Sequence, residues 1–226
     1  LSSLGENRVE KIFLDMQFSD REVLKAIALK KIDIERVAES KLDQLSERGL
    51  HQGIVASVLD FRYYSLEEVI AAAASKKYPL LIVLDGIEDP HNFGAILRTC
   101  DAFGVDGVII KKNRQVPLNA TVAKVSTGAI DFVKVAEVTN LSVAIASLKE
   151  RGYWIVASDG EATLSYRDVD CERPIALVLG SEGRGVSRLV IERSDYKVKI
   201  PMFGHVNSLN VSVAAGILIA NIVKDR

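Results

Sequence analysis

The chain has 226 residues, enough for one large or two small domains with a sizeable core. Its 29 basic and 30 acidic residues leave a net charge of −1, so composition gives no sign of a nucleic-acid partner, although a local patch would suffice. An apolar fraction of 48% argues against disorder; Cys100 and Cys171, outside any CxxC pair, are too few for a disulfide framework, and three scattered histidines argue against a metal site. No apolar run reaches membrane-spanning length and no signal-peptide pattern opens the chain, which together predict a cytoplasmic protein with reduced thiols.

In chain order, Val9 to Leu14 reads as a strand, and Ser19-Asp20-Arg21-Glu22 as a capping box opening a helix through Lys31. Ile32 to Val37 is a second strand, Ser40 to Arg48 a short helix ended by Gly49, and Gly53 to Leu59 a third strand. These form a small α/β domain over residues 1–59; its abrupt start on a strand leads us to expect a preceding helix beyond this sequence. Residues 60–77 read as a linker and connecting helix, with a second capping box at Ser65-Leu66-Glu67-Glu68 and a stop at Pro79. Residues 78–226 alternate again: strand Leu80 to Leu84, helix Asn92 to Phe103, strand Gly107 to Lys111, helix Leu141 to Arg151, then strands Trp154 to Ala157 and Ile175 to Leu179. A last strand, Val198 to Ile200, precedes a final helix. Runs such as LLIVL and IALVL suit a parallel sheet buried on both faces. An open α/β fold follows, with ligands expected beyond the carboxyl ends of its strands.

Three segments could carry chemistry. In DGIEDPHNFGAILRT (85–99) a strand ends, an acidic loop turns at Pro90 and a helix starts near Asn92. Read structurally, Asn92 is an N-cap, Gly94 leaves room for close packing and Arg98 pairs with Asp85 or Asp89. In GSEGRGVS (180–187) three glycines let the backbone approach a ligand. Neither a dinucleotide fingerprint nor a P-loop is completed, which removes a dehydrogenase reading, and Glu182 would repel a phosphate. In IPMFGHVNSLNVSVAA (200–215) a strand is stopped by Pro201, and Ser208 and Asn210 stand at the start of a helix that is apolar almost all round. By itself that is a well-capped core helix or a ligand loop. The basic residues Lys111, Lys112 and Arg114, with Lys124 nearby, are either a solvated surface or a phosphate-backbone contact.

Taken in this order and spacing, NFGAILRT, LVLGSEGRGVS and IPMFGHVNSLNVSVAAGI resemble the three motifs of the SPOUT superfamily, in its SpoU/TrmH branch of RNA 2′-O-ribose methyltransferases. The likeness spans about residues 80 to 224. Residues 9 to 59, with HQGIVA at 51–56, resemble the L30e-like RNA-binding domain of the 23S rRNA guanosine-2′-O-methyltransferases of the RlmB type, and TVAKVSTGAI (121–130) is similar to that subgroup. The resemblance implies a C-terminal trefoil knot, an exception to the rule against knots. It also implies a homodimer, an RNA substrate and S-adenosylmethionine held by Gly180, Ile200, Met202, Ser208 and Leu209. By position, Asn92, Arg98, Glu182, Ser208 and Asn210 match the family's catalytic cluster. A guanidinium keeps its proton, so the expected role of Arg98 is to bind a phosphate and stabilise a developing alkoxide. Glu182 would orient Arg98 or take the proton, and Ser208 with Asn210 would hold the ribose or the loop. The alternatives are a tRNA ribose methyltransferase of the same family and a non-catalytic RNA-binding protein with this fold.

Overall fold

A computed structural model describes residues 9–46, 50–58 and 61–224. Contacts divide the chain into two units, at Phe61/Arg62. In the first, β1 (Val9–Asp15) lies between β2 (Asp33–Val37), to which it is parallel, and β3 (Ile54–Val58), to which it is antiparallel. Alternation along β1 turns Ile12 and Leu14 onto Ile27 of α1 (Arg21–Leu29), with Val23, Leu24 and Ile54 packed around them. The helix is capped by Asp20 rather than Ser19: its carboxylate accepts from the backbone N–H groups of Glu22 and Val23 at 3.0 and 3.1 Å. The second helix, α2 (Glu39–Leu45), turns Leu42 inward. Its expected end at Gly49 and the end of the third strand at Leu59 lie outside the described residues. His51, from the HQGIVA run, is structural in place: it bonds Asp43 at 3.1 Å and accepts from Gly53 N–H at 3.1 Å.

The second unit is built on a seven-stranded sheet in which every pair is parallel. In chain order its strands are β4 (Leu80–Asp85), β5 (Gly107–Lys111), β6 (Val135–Val138), β7 (Trp154–Ser158), β8 (Leu164–Ser165), β9 (Ile175–Gly180) and β10 (Tyr196–Lys199). In space they run β6-β5-β4-β9-β7-β10-β8. All six residues of β4 and the first five of β9 are buried, as continuous apolar strands require. The helix expected to act as a connector, α3 (Leu66–Ala73), belongs to this unit: Leu66, Val69 and Ala73 enter its core. Its capping box at Ser65 and Glu68 forms as expected, with N–H to oxygen distances of 3.1 and 2.7 Å. Around the sheet lie α4 (Pro90–Ala102), α5 (Ala120–Ser126), α6 (Leu141–Glu150), α7 (Arg188–Arg193) and α8 (Val211–Val223). Sequence patterning did not foresee α5, β6, β8 or α7, all of them short. No described helix is long and apolar enough to cross a membrane.

Two features of this architecture set up a site. β4 and β9 are neighbours in register from Leu80↔Ile175 to Asp85↔Gly180, so the loops that follow them leave the sheet side by side. The chain runs from β4 outward through β5 and β6, then crosses to the other side of β4 for β7 and β9. That is a switch point, where an open parallel sheet leaves a crevice at its carboxyl ends.

Candidate active site

At the switch point the crevice is a cleft of roughly 250 Å³. The loop after β4 (Gly86 to Asp89), Asn92, the loop after β9 (Ser181, Glu182, Arg184) and Val211 line it. Asp89, not Asn92, caps α4; its carboxylate accepts from His91 N–H at 2.8 Å. This moves Asn92 into the first turn of the helix, buried, and leaves its amide free for tertiary bonds. Those bonds close a triangle. Asn92 Nδ2 donates to Glu182 Oε1 at 3.1 Å, Asn210 Nδ2 donates to the same oxygen at 2.6 Å, and Asn210 Nδ2 also donates to Asn92 Oδ1 at 2.9 Å. Val211 N–H points at Glu182 Oε1 as well, at 3.4 Å. Three segments far apart in the chain thus meet on one carboxylate oxygen. Glu182 Oε2 has no hydrogen-bond partner among the described residues, so it remains able to accept a proton or a ligand N–H or O–H.

Asn210 caps α8, as expected: its Oδ1 accepts from Ser212 N–H at 2.9 Å, Ser212 Oγ–H at 2.6 Å and, more weakly, Val213 N–H at 3.4 Å. One side chain therefore fixes the helix start with its oxygen and the cleft carboxylate with its nitrogen. Gly180 accounts for the path of the loop after β9. A Cβ there would fall 2.0 Å from Gly185 C and 2.1 Å from Val186 N, because the loop folds back over the end of its own strand.

Ile200, Met202 and Leu209 are half-buried in and beside the loop after β10, and Ser208 is exposed there. The same loop leaves Phe203 and Val206 largely uncovered. Apolar side chains presented at the carboxyl end of the sheet, next to polar backbone, fit the adenosine and aliphatic parts of a nucleoside cofactor. Arg98 lies on the exposed surface of α4 and is not part of the triangle. Neither structural pairing holds for it: Asp85 is bonded to Lys111 and Ser187, and Asp89 to the helix start. Lys112, Arg114 and Lys124 are exposed, whereas Lys111 binds Asp85 at 2.5 Å. Among the described residues no group of three His, Cys, Asp or Glu side chains could hold a metal ion.

Gly86, Ile87, Glu88, Asp89, Ser181 and Arg184 line the cleft without having been expected as site residues. The first four lie in the acidic turn before Pro90, inside a segment that the sequence marks for chemistry without distinguishing its residues.

The fold and this cluster define an α/β protein with a polar cleft at its switch point. Residues 79–220 match the SpoU rRNA Methylase family, and residues 2–64 match the RNA 2′-O ribose methyltransferase substrate binding family. The chain belongs to the SpoU/TrmH family of RNA methyltransferases. A Staphylococcus saprophyticus relative, assigned by name to the TrmH family of tRNA/rRNA methyltransferases, is 48% identical over 206 residues, or 91% of this chain and 82% of that protein. Among solved structures, the SpoU methyltransferase AviRb from Streptomyces viridochromogenes, crystallised with AdoMet, aligns over 100% of this chain and 86% of its own with a TM-score of 0.81 at 23% identity. The A. aeolicus TrmH/SpoU tRNA modifying enzyme aligns over 71% of this chain and 82% of its own, with a TM-score of 0.62 and 33% identity.

Proposed function

We propose that this protein transfers a methyl group from S-adenosylmethionine to the ribose 2′-hydroxyl of a guanosine in 23S rRNA, in the bacterial cytoplasm. The observation that carries the reading is the Asn92–Glu182–Asn210 triangle, with one carboxylate oxygen fixed and the other open to the cleft. The cofactor, when bound, supplies a methyl group activated by attachment to a sulfonium. Gly180, Ile200, Met202, Ser208 and Leu209 are the residues that would hold it.

The protein must align the hydroxyl and help remove its proton. Alignment of reacting groups is worth on the order of 7 kcal/mol or more in ideal cases. The two asparagine amides would hold Glu182 so that Oε2 could take the hydroxyl proton as the ribose oxygen bonds to the methyl carbon and the methyl–sulfur bond breaks to leave a neutral thioether. Arg98 binds the adjacent phosphate and stabilises the alkoxide character that develops. Lys112, Arg114 and Lys124 add backbone contacts on exposed surface.

The match of residues 79–220 to a family named for rRNA methylases supports rRNA, while the 33% identity to a tRNA modifying enzyme favours tRNA as the second reading. Half-exposed apolar residues such as Ile217, with exposed Val213, along α8 support a homodimer. The return of the C-terminal segment to the loop after β9, where Asn210 meets Glu182, is a contact that a knotted C-terminal segment would make.

The test is transfer of labelled methyl to unmodified 23S rRNA and, separately, to unmodified tRNA, with ribose methylation mapped by resistance to alkaline cleavage. A single resistant guanosine in 23S rRNA is expected. Label confined to tRNA would keep the chemistry and replace the substrate. Label in neither, with cofactor bound, would leave the non-catalytic RNA-binding reading.

A further inference from the structure

Asp85 is 4% exposed at the tip of β4, and both of its carboxylate oxygens are used. Oδ1 accepts from Lys111 Nζ at 2.5 Å, at the end of neighbouring β5. Oδ2 accepts from the backbone N–H of Ser187 at 2.8 Å, at the end of the loop that follows β9. One buried side chain therefore ties two strand ends to the start of α7, across 102 residues of sequence. The loop from Ser181 to Ser187 is held at its start by the close packing of Gly180 beneath Gly185 and by the Gly185 N–H to Ser181 C=O bond at 2.9 Å. At its end, the described side-chain bond to its backbone is the one from Asp85. Glu182 lies between these two anchors.

We propose that Asp85 is a positioning residue for methyl transfer, acting with Lys111 to hold the loop that carries Glu182. The proposal rests on the role given to Glu182 above. A buried carboxylate keeps its charge only beside a compensating cation and hydrogen-bond donors. Without Lys111 it would protonate or turn outward, and in either case the Ser187 anchor weakens. Glu182 would then be held by the anchor at the start of the loop and by its own bonds to Asn92, Asn210 and Val211, and Oε2 would be aimed less firmly. The same geometry gives Lys111 a different task from that of its exposed neighbours Lys112 and Arg114: its ammonium serves the protein and not the RNA.

The experiment compares Asp85→Asn, Lys111→Met, Lys111→Arg and the Asp85→Asn/Lys111→Met double variant in the full chain. It reads amide hydrogen exchange of residues 180–188, binding of S-adenosylmethionine and of RNA, and the single-turnover methylation rate. In Asp85→Asn and Lys111→Met the loop amides should exchange faster. Both ligand affinities should stay within about twofold of the parent, and the rate should fall by about tenfold to a hundredfold, the scale of a small misplacement of a reacting group. The double variant should be no slower than the worse single variant, and Lys111→Arg should recover most of the rate. Weakened RNA binding in Lys111→Met, with losses that add in the double variant, would overturn the proposal and make Lys111 an RNA contact. Unchanged exchange in residues 180–188 would overturn it also. A parent protein that methylates neither RNA would defeat the proposed function, while the exchange measurements would still decide whether Asp85 anchors the loop.

Discussion

At the scale of single residues, the site depends on what each oxygen and nitrogen of three side chains is doing. Asn92 contributes both a donor and an acceptor, Asn210 spends its oxygen on a helix cap and its nitrogen on the cleft, and Glu182 keeps one oxygen open. Glu182→Gln preserves the shape, but its single carbonyl oxygen is needed at the Oε1 place to accept from Asn92 and Asn210, so the open oxygen is replaced by an NH2 group that cannot take a proton. Methylation by that variant should fall by about a hundredfold or more, in the range of general acid–base effects, with cofactor affinity retained. Single-turnover kinetics with calorimetric cofactor binding checks this, and an equal loss of both would place Glu182 in the cofactor site. Arg98→Ala should abolish turnover with cofactor affinity largely intact, since its expected partner is a phosphate of the RNA. At Asp85, burial pushes the carboxyl upward, but hydrogen bonds from Lys111 and Ser187 and the Lys111 charge outweigh it and hold the group below its ordinary value. Its contribution to stability is therefore fully present above the ordinary carboxylate range and is lost as pH falls through the lowered value. Thermal melts of the parent from neutral pH down to about pH 3 should show this acid loss, and Asp85→Asn should show a shallower one.

At the scale of elements, helix caps were the most readable feature and also where single-residue errors occurred. Ser65 and Asn210 cap where expected, yet α1 begins on Asp20 instead of Ser19, and α4 on Asp89 instead of Asn92. Where two capping residue types stand within a few positions of each other, the composition is satisfied in either frame, and packing selects one. The consequence at α4 is functional, because the shift releases Asn92 for the triangle. Gly94, read as a position of close packing, has that role: a Cβ would come 2.7 Å from Val125 Cβ and 3.0 Å from Val122 C=O on α5. Gly94→Ala should cost about 1–3 kcal/mol, as overpacking does, seen as a lower urea midpoint. Adding Val125→Ala should recover part of it; no recovery would mean that the strain lies in the α5 backbone. The short elements α5, β6, β8 and α7 escaped prediction because two to seven residues do not complete a recognisable period, and elements as short, α2 and β10, were legible from the glycine and proline that follow them.

At the scale of the whole molecule, the division at Phe61/Arg62 separates a small three-stranded unit from the unit that carries every residue of the cleft. Residues 62–226 made alone should bind S-adenosylmethionine as the full chain does but methylate RNA with a raised KM. Equilibrium cofactor binding and steady-state kinetics on the same preparation check this, and an unchanged KM would remove the small unit from substrate recognition. α3 must stay with the larger unit, since Leu66, Val69 and Ala73 are part of its core and Tyr64 N–H bonds Val135 C=O at 2.9 Å.

The sequence by itself determined the class of the fold, its parallel sheet and the three loops that matter. Continuous apolar runs, capping residues and glycines act locally and are written in adjacent positions. It also determined which family motifs are present, and so the expected roles of Asn92, Glu182 and Asn210. Only the tertiary structure decided that these three share one carboxylate oxygen, that Arg98 stands outside their triangle, and that Lys111 is bound to Asp85 while Lys112 and Arg114 are exposed. The reason is strand order. Placing β9 beside β4 brings positions about 90 residues apart within hydrogen-bond distance, and no local pattern encodes which strand ends become neighbours.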